Sequence, residues 1–368
     1  MSRDILTIDT SFASAFQLED LELHDLEAIR LILDGTSVID WHKLDLDTLD
    51  KVDAFLRVSC VDPQDEDDME RLRFVLNQAV NYLEEHQGIR LPEDLRNPED
   101  VREVFVAAST WSGRFRRHQA MACMILKLMH TINHMEAADL KHRLPISEAE
   151  LIDRVERSII SHANEMRREG YPLQAFYSSR KTRTSVISKL LSKRESIAAT
   201  LYDKIRFRIV VDTPEELLSL LAYLSRKLFP MNYVIPDESH NNLLDLRLAL
   251  QRTPRLAELS KKLQRLSNDE GGDEQAQLNP FSARSYRVIN FIVDYPIRVD
   301  DILAHEGIKA TYLLGRIVYV MVEFQLVDRE TAKTNEEGAN AHELYKERQK
   351  KVVEERLLRG SLKKSSPS

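Results

Sequence analysis

Residues 204–211 read Lys-Ile-Arg-Phe-Arg-Ile-Val-Val, and their alternation decides the fold. Ile205, Phe207, Ile209 and Val211 point one way while Lys204, Arg206 and Arg208 point the other, as in a half-buried β-strand whose second face is basic. Residues 316–327 repeat the pattern. There Val318, Val320, Val322, Phe324 and Leu326 make one apolar row, so Glu323 and Gln325 stand side by side on the opposite face. A third strand is expected over Tyr286 to Asp294. Helices separate these strands. Glu148 to Arg168 is helical and is broken by Gly170-Tyr171-Pro172; Ser185 to Lys193 is a shorter helix; Thr213-Pro214-Glu215-Glu216 opens another that runs through Leu217 to Leu228. Residues 151–350 therefore read as an α+β domain, a mixed sheet flanked by helices.

Before it, from Leu18 to about Arg143, apolar residues return every three or four positions, as Leu72, Val75, Leu76, Val80 and Leu83 do, with a stop at Gly88. Residues 1–150 read as an all-helical domain. Between the second-half strands, 236–280 is a polar insertion with a helical stretch at Pro254 to Leu266 and a soft loop at Ser267 to Gln277. A charged helix is expected over Glu343 to Leu358, and 351–368 is its end followed by a Lys/Ser tail expected to be disordered.

The composition, 43% hydrophobic and 30% charged over 368 residues, suits two ordinary globular domains. No apolar run reaches the length of a membrane span and the first ten residues lack a secretory pattern, so a cytoplasmic location is expected. The two cysteines, Cys60 and Cys123, are too far apart for a disulfide framework or a Cys-type zinc site. The net charge of -8 is unevenly divided: 1–150 holds 16 Lys and Arg against 30 Asp and Glu, whereas 151–368 holds 36 against 30. An anionic ligand is therefore expected on the second half.

Two groups of residues invite chemistry. His130 and His134 lie one turn apart on a helix, but Thr131 stands where a zinc protease needs Glu, and the surrounding Met and Leu spacing favours helix packing. The second group joins Asp203, at the head of the basic strand, and Glu323. Carboxylates on neighbouring strands can hold Mg²⁺, which takes oxygen ligands and bridges phosphates. A basic stretch with Lys181, Arg183, Ser185 and Lys189 precedes them, and Glu336, Gly338, His342, Tyr345 and Lys346 follow.

In order along the chain, Ser179-Arg180-Lys181 to Ser185-Val186 and Lys189, then Asp203 to Arg206 and Arg208, then Glu323-Phe-Gln325-Leu326, then Glu336 to Gly338, His342, Tyr345 and Lys346, resemble the RelA/SpoT-type (p)ppGpp synthetase domain. The resemblance covers about 165–350. It implies a nucleotidyltransferase-like fold, a place in the stringent response, and transfer of pyrophosphate from ATP to the 3′-hydroxyl of a purine nucleotide. Asp203 and Glu323 would be its Mg²⁺ ligands and, with Gln325, its catalytic residues; Lys181, Ser185, Lys189, Arg208, His342 and Lys346 would contact ATP or its phosphates. The family's base-stacking segment has no clean counterpart: Asn241-Asn242 and, after the insertion, Ser282 to Arg287 are the nearest material, and Tyr286 there reads either as a ring that stacks the acceptor base or as an ordinary strand aromatic.

The chain departs from the family pattern at Ser179, where Arg is usual and Arg180 is adjacent, at Arg206 in place of Gly, and at Val327-Asp328 in place of Arg-Thr. These changes motivate a second reading: a non-catalytic nucleotide- or RNA-binding protein on the same fold. A variant acting on an adenine nucleotide or on tRNA belongs with the first. The pair His24-Asp25 resembles part of the family's hydrolase metal set, but no His precedes it, so hydrolysis is not inferred.

Overall fold

The computed structural model describes residues 3–4, 21–35, 41, 45–109, 116–171, 173–192, 204–251, 254–267, 286–305, 315–336, 350–354 and 357. Six strands form one mixed sheet: β1 (Arg3–Asp4), β2 (Leu173–Arg180), β3 (Ile205–Val211), β4 (His240–Asn241), β5 (Ile289–Arg298) and β6 (Ile317–Asp328). Their spatial order is β1-β2-β3-β6-β5-β4, with β3 and β6 parallel and every other neighbour antiparallel.

The period-two reading holds for the central pair. Ile205, Phe207, Ile209 and Val211 are no more than 1% exposed, and Val318, Val322, Phe324 and Leu326 are fully buried. Together with Phe291 and Val293 of β5 they make one apolar face, on which the rings of Phe207 and Phe291 each stack with Phe324. Strand β2 lay outside the sequence expectation. A register shift between Leu173 and Ala175 breaks its alternation, and its polar Ser-Ser-Arg end resembles a loop.

Helices pack on both faces of the sheet. Among those of the described residues are α1 (Leu23–Asp34), α2 (Leu49–Val58), α3 (Glu66–Asn81), α4 (Glu93–Arg96), α5 (Glu103–Ser109), α6 (Arg116–Arg143), α7 (Glu148–Arg168) and α8 (Arg183–Ser192). They are followed by α9 (Glu216–Tyr223), α10 (Leu246–Leu250), α11 (Pro254–Ser267), α12 (Asp300–His305) and α13 (Arg329–Glu336). Leu151, Val155, Ile159, Ala163 and Met166 of α7 return at helical spacing and enter the same core as the sheet, as do Leu26, Ile29 and Ile32 of α1 and the wholly apolar inner side of α9. A second core lies among α2, α3, α5 and α6, where Trp41 meets Phe55 and Phe105 edge-on. Asp65 caps α3 by accepting from the Asp68 amide, and Ser147 with Glu150 forms a capping box on α7.

The opposite face of the sheet is divided lengthwise. At one end α6 lies over β6: the His134 ring stacks on Tyr319 at 4.0 Å and its Nδ1 is 3.0 Å from Asp294 Oδ2. Lys141 Nζ donates to the Tyr319 carbonyl at 2.9 Å. His130 and His134 of α6 are thus packing residues at a helix–sheet contact, the two rings 4.2 Å apart and both against Tyr233. Part of the charge division seen in the sequence is used here as well. Arg298 binds Asp68 and Asp300, and Arg316 reaches Asp65 and Asp67, so acidic helix ends pair with basic strand ends. The other end of this face carries the candidate site.

No helix among the described residues is long and apolar enough to cross a membrane. The Ser267 to Gln277 loop, apart from its first residue, and most of Glu343 to Leu358, with the tail after it, lie outside the described residues.

Candidate nucleotide site

Residues paired across neighbouring strands share a face, so the registers fix which side chains meet. Ser179 pairs with Arg206, Arg206 with Glu323 and Glu323 with Ile292, which makes one row across four strands. The next row runs Tyr177, Arg208, Gln325, Asn290 and His240. These rows form the polar end of the sheet.

Glu323 is the centre of it. Only 4% exposed, it accepts on Oε2 from Arg206 Nε at 2.8 Å and on Oε1 from Gln325 Nε2 at 3.0 Å. The Asn290 amide, with its nitrogen turned toward acceptors, donates to Oε1 at 2.9 Å and to the Phe324 carbonyl at 3.0 Å. A buried carboxylate needs such partners, and the charged one, Arg206, neutralises it. Arg206 is itself about a third exposed, with 32% of its side chain accessible, so its guanidinium also borders the surface.

Arg208 lies two residues on, on the same face. Its Nη2 is buried and meets no hydrogen-bond acceptor among the described residues, and Nη1 is 3.9 Å from Glu336, at the loose limit of an ion pair. Tyr286 stands nearby. Burial raises its phenol above the ordinary value, while the positive charges of Arg208 and Arg206 oppose the rise and Glu323 adds to it. The backbone of Tyr286 is held by Asn242, whose Nδ2 donates to the Tyr286 carbonyl at 2.7 Å and whose Oδ1 accepts from the Val288 amide at 2.8 Å. Asn242 and Tyr286, 44 residues apart in the chain, therefore lie side by side.

Of the residues expected from sequence, Glu323, Gln325, Arg208 and Tyr286 gather here. Lys181 follows the end of β2, its amide donating to the Lys204 carbonyl at 3.0 Å. Ser185 is engaged at the start of α8, 3.0 Å from the Thr182 hydroxyl. Asp203, His342 and Lys346 lie outside the described residues, as does the Lys189 side chain.

Arg180, adjacent to the departure at Ser179, does not join this group. Paired with Ile205, it faces away from the site and binds Asp153 and Glu156 of α7. Val327 and Asp328 are also accounted for: Val327 packs with Val210 and Val288, and Asp328 accepts from the Thr331 amide at 2.9 Å to start α13. His24-Asp25 is structural on its Asp side, since Asp25 is fully buried against Arg226. Sequence reasoning missed Asn290 and His240. Period two along β5 carries the signal for Asn290, a lone amide at an alternate position of an apolar strand, opposite Gln325.

The Mg²⁺ expectation meets an obstacle in this geometry. Both oxygens of Glu323 are occupied by donors, one of them a guanidinium that already supplies positive charge. The described donor set does not fit a divalent ion while Arg206 holds that carboxylate.

No family model matches the chain, and no curated protein matches it. Among solved structures, it is similar to small alarmone synthetase 2 from Bacillus subtilis, with 13% identity over 58% of this chain and 90% of that one, at a TM-score of 0.30. It is likewise similar to small alarmone synthetase 1 from Bacillus subtilis bound to its product pppGpp, with 12% identity over 58% and 93% and a TM-score of 0.28. The same synthetase in a second structure gives 13%, 58%, 94% and 0.28.

Proposed function

We propose that this chain is a nucleotide-binding protein on a RelA/SpoT-like, nucleotidyltransferase-like sheet, and that the Arg206–Arg208 end of the sheet takes the polyphosphate of a purine nucleotide. The observation that carries the reading is the buried Nη2 of Arg208, a charged donor without an acceptor among the described residues, beside a carboxylate already neutralised by Arg206. An unpaired buried guanidinium nitrogen is costly, and a phosphate oxygen would satisfy it. Tyr286 offers a ring at the same end for a base. ATP, GTP, GDP and tRNA titrated onto the protein test this. Binding of a nucleotide that Arg208→Ala weakens supports it; binding of tRNA alone would move the reading to an RNA-binding protein; binding of none sinks it.

Pyrophosphate transfer from ATP to the 3′-hydroxyl of a purine nucleotide, releasing AMP, is the second reading. What favours it is the placement of Glu323 and Gln325 in consecutive rows of the polar end, where a carboxylate could draw the proton from an attacking hydroxyl once Arg206 moved off it. Incubation with γ-labelled ATP and each acceptor, beside Glu323→Gln, decides it: a labelled product that the variant fails to make supports transfer, and no product leaves binding alone.

A further inference from the structure

We infer that Arg206 does at Glu323 what a divalent cation would otherwise do, so that the site takes a nucleotide polyphosphate without metal. The inference rests on the nucleotide-binding reading for its ligand, but its core is the carboxylate itself. Glu323 is buried, and all of its described contacts are donors: Arg206 on one oxygen, Gln325 and Asn290 on the other. For Mg²⁺ to bind there, it would have to strip these donors from the carboxylate, shed tightly held water, and sit beside a guanidinium of like charge. Each of those changes opposes it. A guanidinium cannot be deprotonated in a protein, so the charge that excludes the ion persists at every working pH.

The same arrangement leaves positive charge facing outward. Glu323 is buried against Arg206, whereas the carboxylate nearest Arg208, Glu336, is exposed and 3.9 Å from Nη1, too loose to hold it; the two arginine positions lie about 7 Å apart, two residues along one strand. That span suits the linked phosphates of a di- or triphosphate better than a single phosphate. Arg206 reaches the surface while remaining anchored through Nε, which fixes its plane before a ligand arrives and lowers the entropy lost on binding. Arg208 contributes its unsatisfied Nη2. In this arrangement Mg²⁺ would compete with the protein for the phosphates instead of bridging them to it.

The test uses the full-length protein and two probes. ATP is titrated calorimetrically in EDTA and in Mg²⁺, and Mn²⁺ is titrated alone with detection of the free ion by electron paramagnetic resonance. The parent is expected to bind ATP in EDTA at least as well as in Mg²⁺ and to take up no Mn²⁺. Arg206→Gly should lose about tenfold or more in EDTA, recover with Mg²⁺ and acquire a Mn²⁺ site, whereas Arg206→Lys, which keeps the cation, should behave as the parent. An absolute requirement for Mg²⁺ in the parent overturns the inference and leaves the nucleotide reading standing. Stoichiometric Mn²⁺ on the parent that Glu323→Gln abolishes does the same. Failure of ATP to bind in either buffer overturns the nucleotide reading, and the Mn²⁺ titrations, which need no nucleotide, still decide between Arg206 and a metal at Glu323.

Discussion

Asp25 and Arg226, 201 residues apart in the chain, form a fork on a fully buried carboxylate: Nε of the guanidinium donates to Oδ1 at 2.6 Å and Nη2 to Oδ2. Oδ2 also accepts from the Glu22 amide at 2.8 Å, which closes the first turn of α1. One carboxylate therefore caps its own helix and ties it to the turn that follows α9.

Asp25→Ala is expected to lower stability by about 3 kcal/mol, because it leaves a partly buried guanidinium and a helix-terminal amide without their partner. Urea denaturation monitored by circular dichroism measures the change. Adding Arg226→Ala to it should cost less than the two single losses combined, and strict additivity would show that the pair does not couple.

His130 makes acid stability measurable at one position. Burial, with the neighbouring charge of His134, pushes its ring down to about 3 from an ordinary 6.5. The folded state then holds this ring neutral where the unfolded chain would protonate it. The associated stability is complete above pH 6.5 and is lost as the pH falls from there toward 3, at up to about 1.4 kcal/mol per pH unit. The groups facing it are His134, Asn232 and Tyr233, with Asp294 and Tyr319 beyond. Urea midpoints of the parent and His130→Gln should converge between pH 7 and pH 4; parallel curves would remove His130 from the account.

Arg208→Ala should weaken nucleotide binding about tenfold or more while changing the melting temperature little, since Nη2 has no described acceptor to lose. A large loss of stability with unchanged affinity would mark the residue as structural.

Asn242→Ala removes two hydrogen bonds that hold Tyr286 and Val288. A cost of about 2 kcal/mol is expected, together with faster hydrogen exchange at the Val288 amide. Unchanged protection there would mean the insertion is anchored by other contacts.

Cys60 has its thiol pushed up to about 11 by burial, and Cys123 is buried. Iodoacetamide at pH 8 should label neither promptly in the folded protein and both in urea. Rapid labelling of Cys60 in the native state would contradict its placement against the Pro296 carbonyl, 3.6 Å from the sulfur.

The central strands were legible because Ile205 to Val211 and Val318 to Leu326 alternate without interruption, and a period of two assigns both faces at once. From this the Glu323–Gln325 pair and the basic face with Arg208 followed. The hydrogen bond between Arg206 and Glu323 did not. It depends on the register of two parallel strands more than a hundred residues apart, and nothing local to either strand encodes that register. For the same reason Arg206 was legible only as a departure from a family pattern and not also as the partner of Glu323. Strand β2 escaped because of its bulge, and Asn290 because one amide in an apolar run carries little weight until its opposite residue is known.

The parallel pairing of β3 with β6 also sets an order of events during synthesis. Arg206 leaves the ribosome 117 residues before Glu323, so while that stretch is made the basic strand has no partner on its β6 side. The polar end of the sheet comes into being only when the last strand docks, and helix α6 has by then been waiting for the Tyr319 against which His134 stacks. A nascent chain stalled before residue 317 would hold a helical half and an unfinished sheet edge, with no carboxylate at its centre.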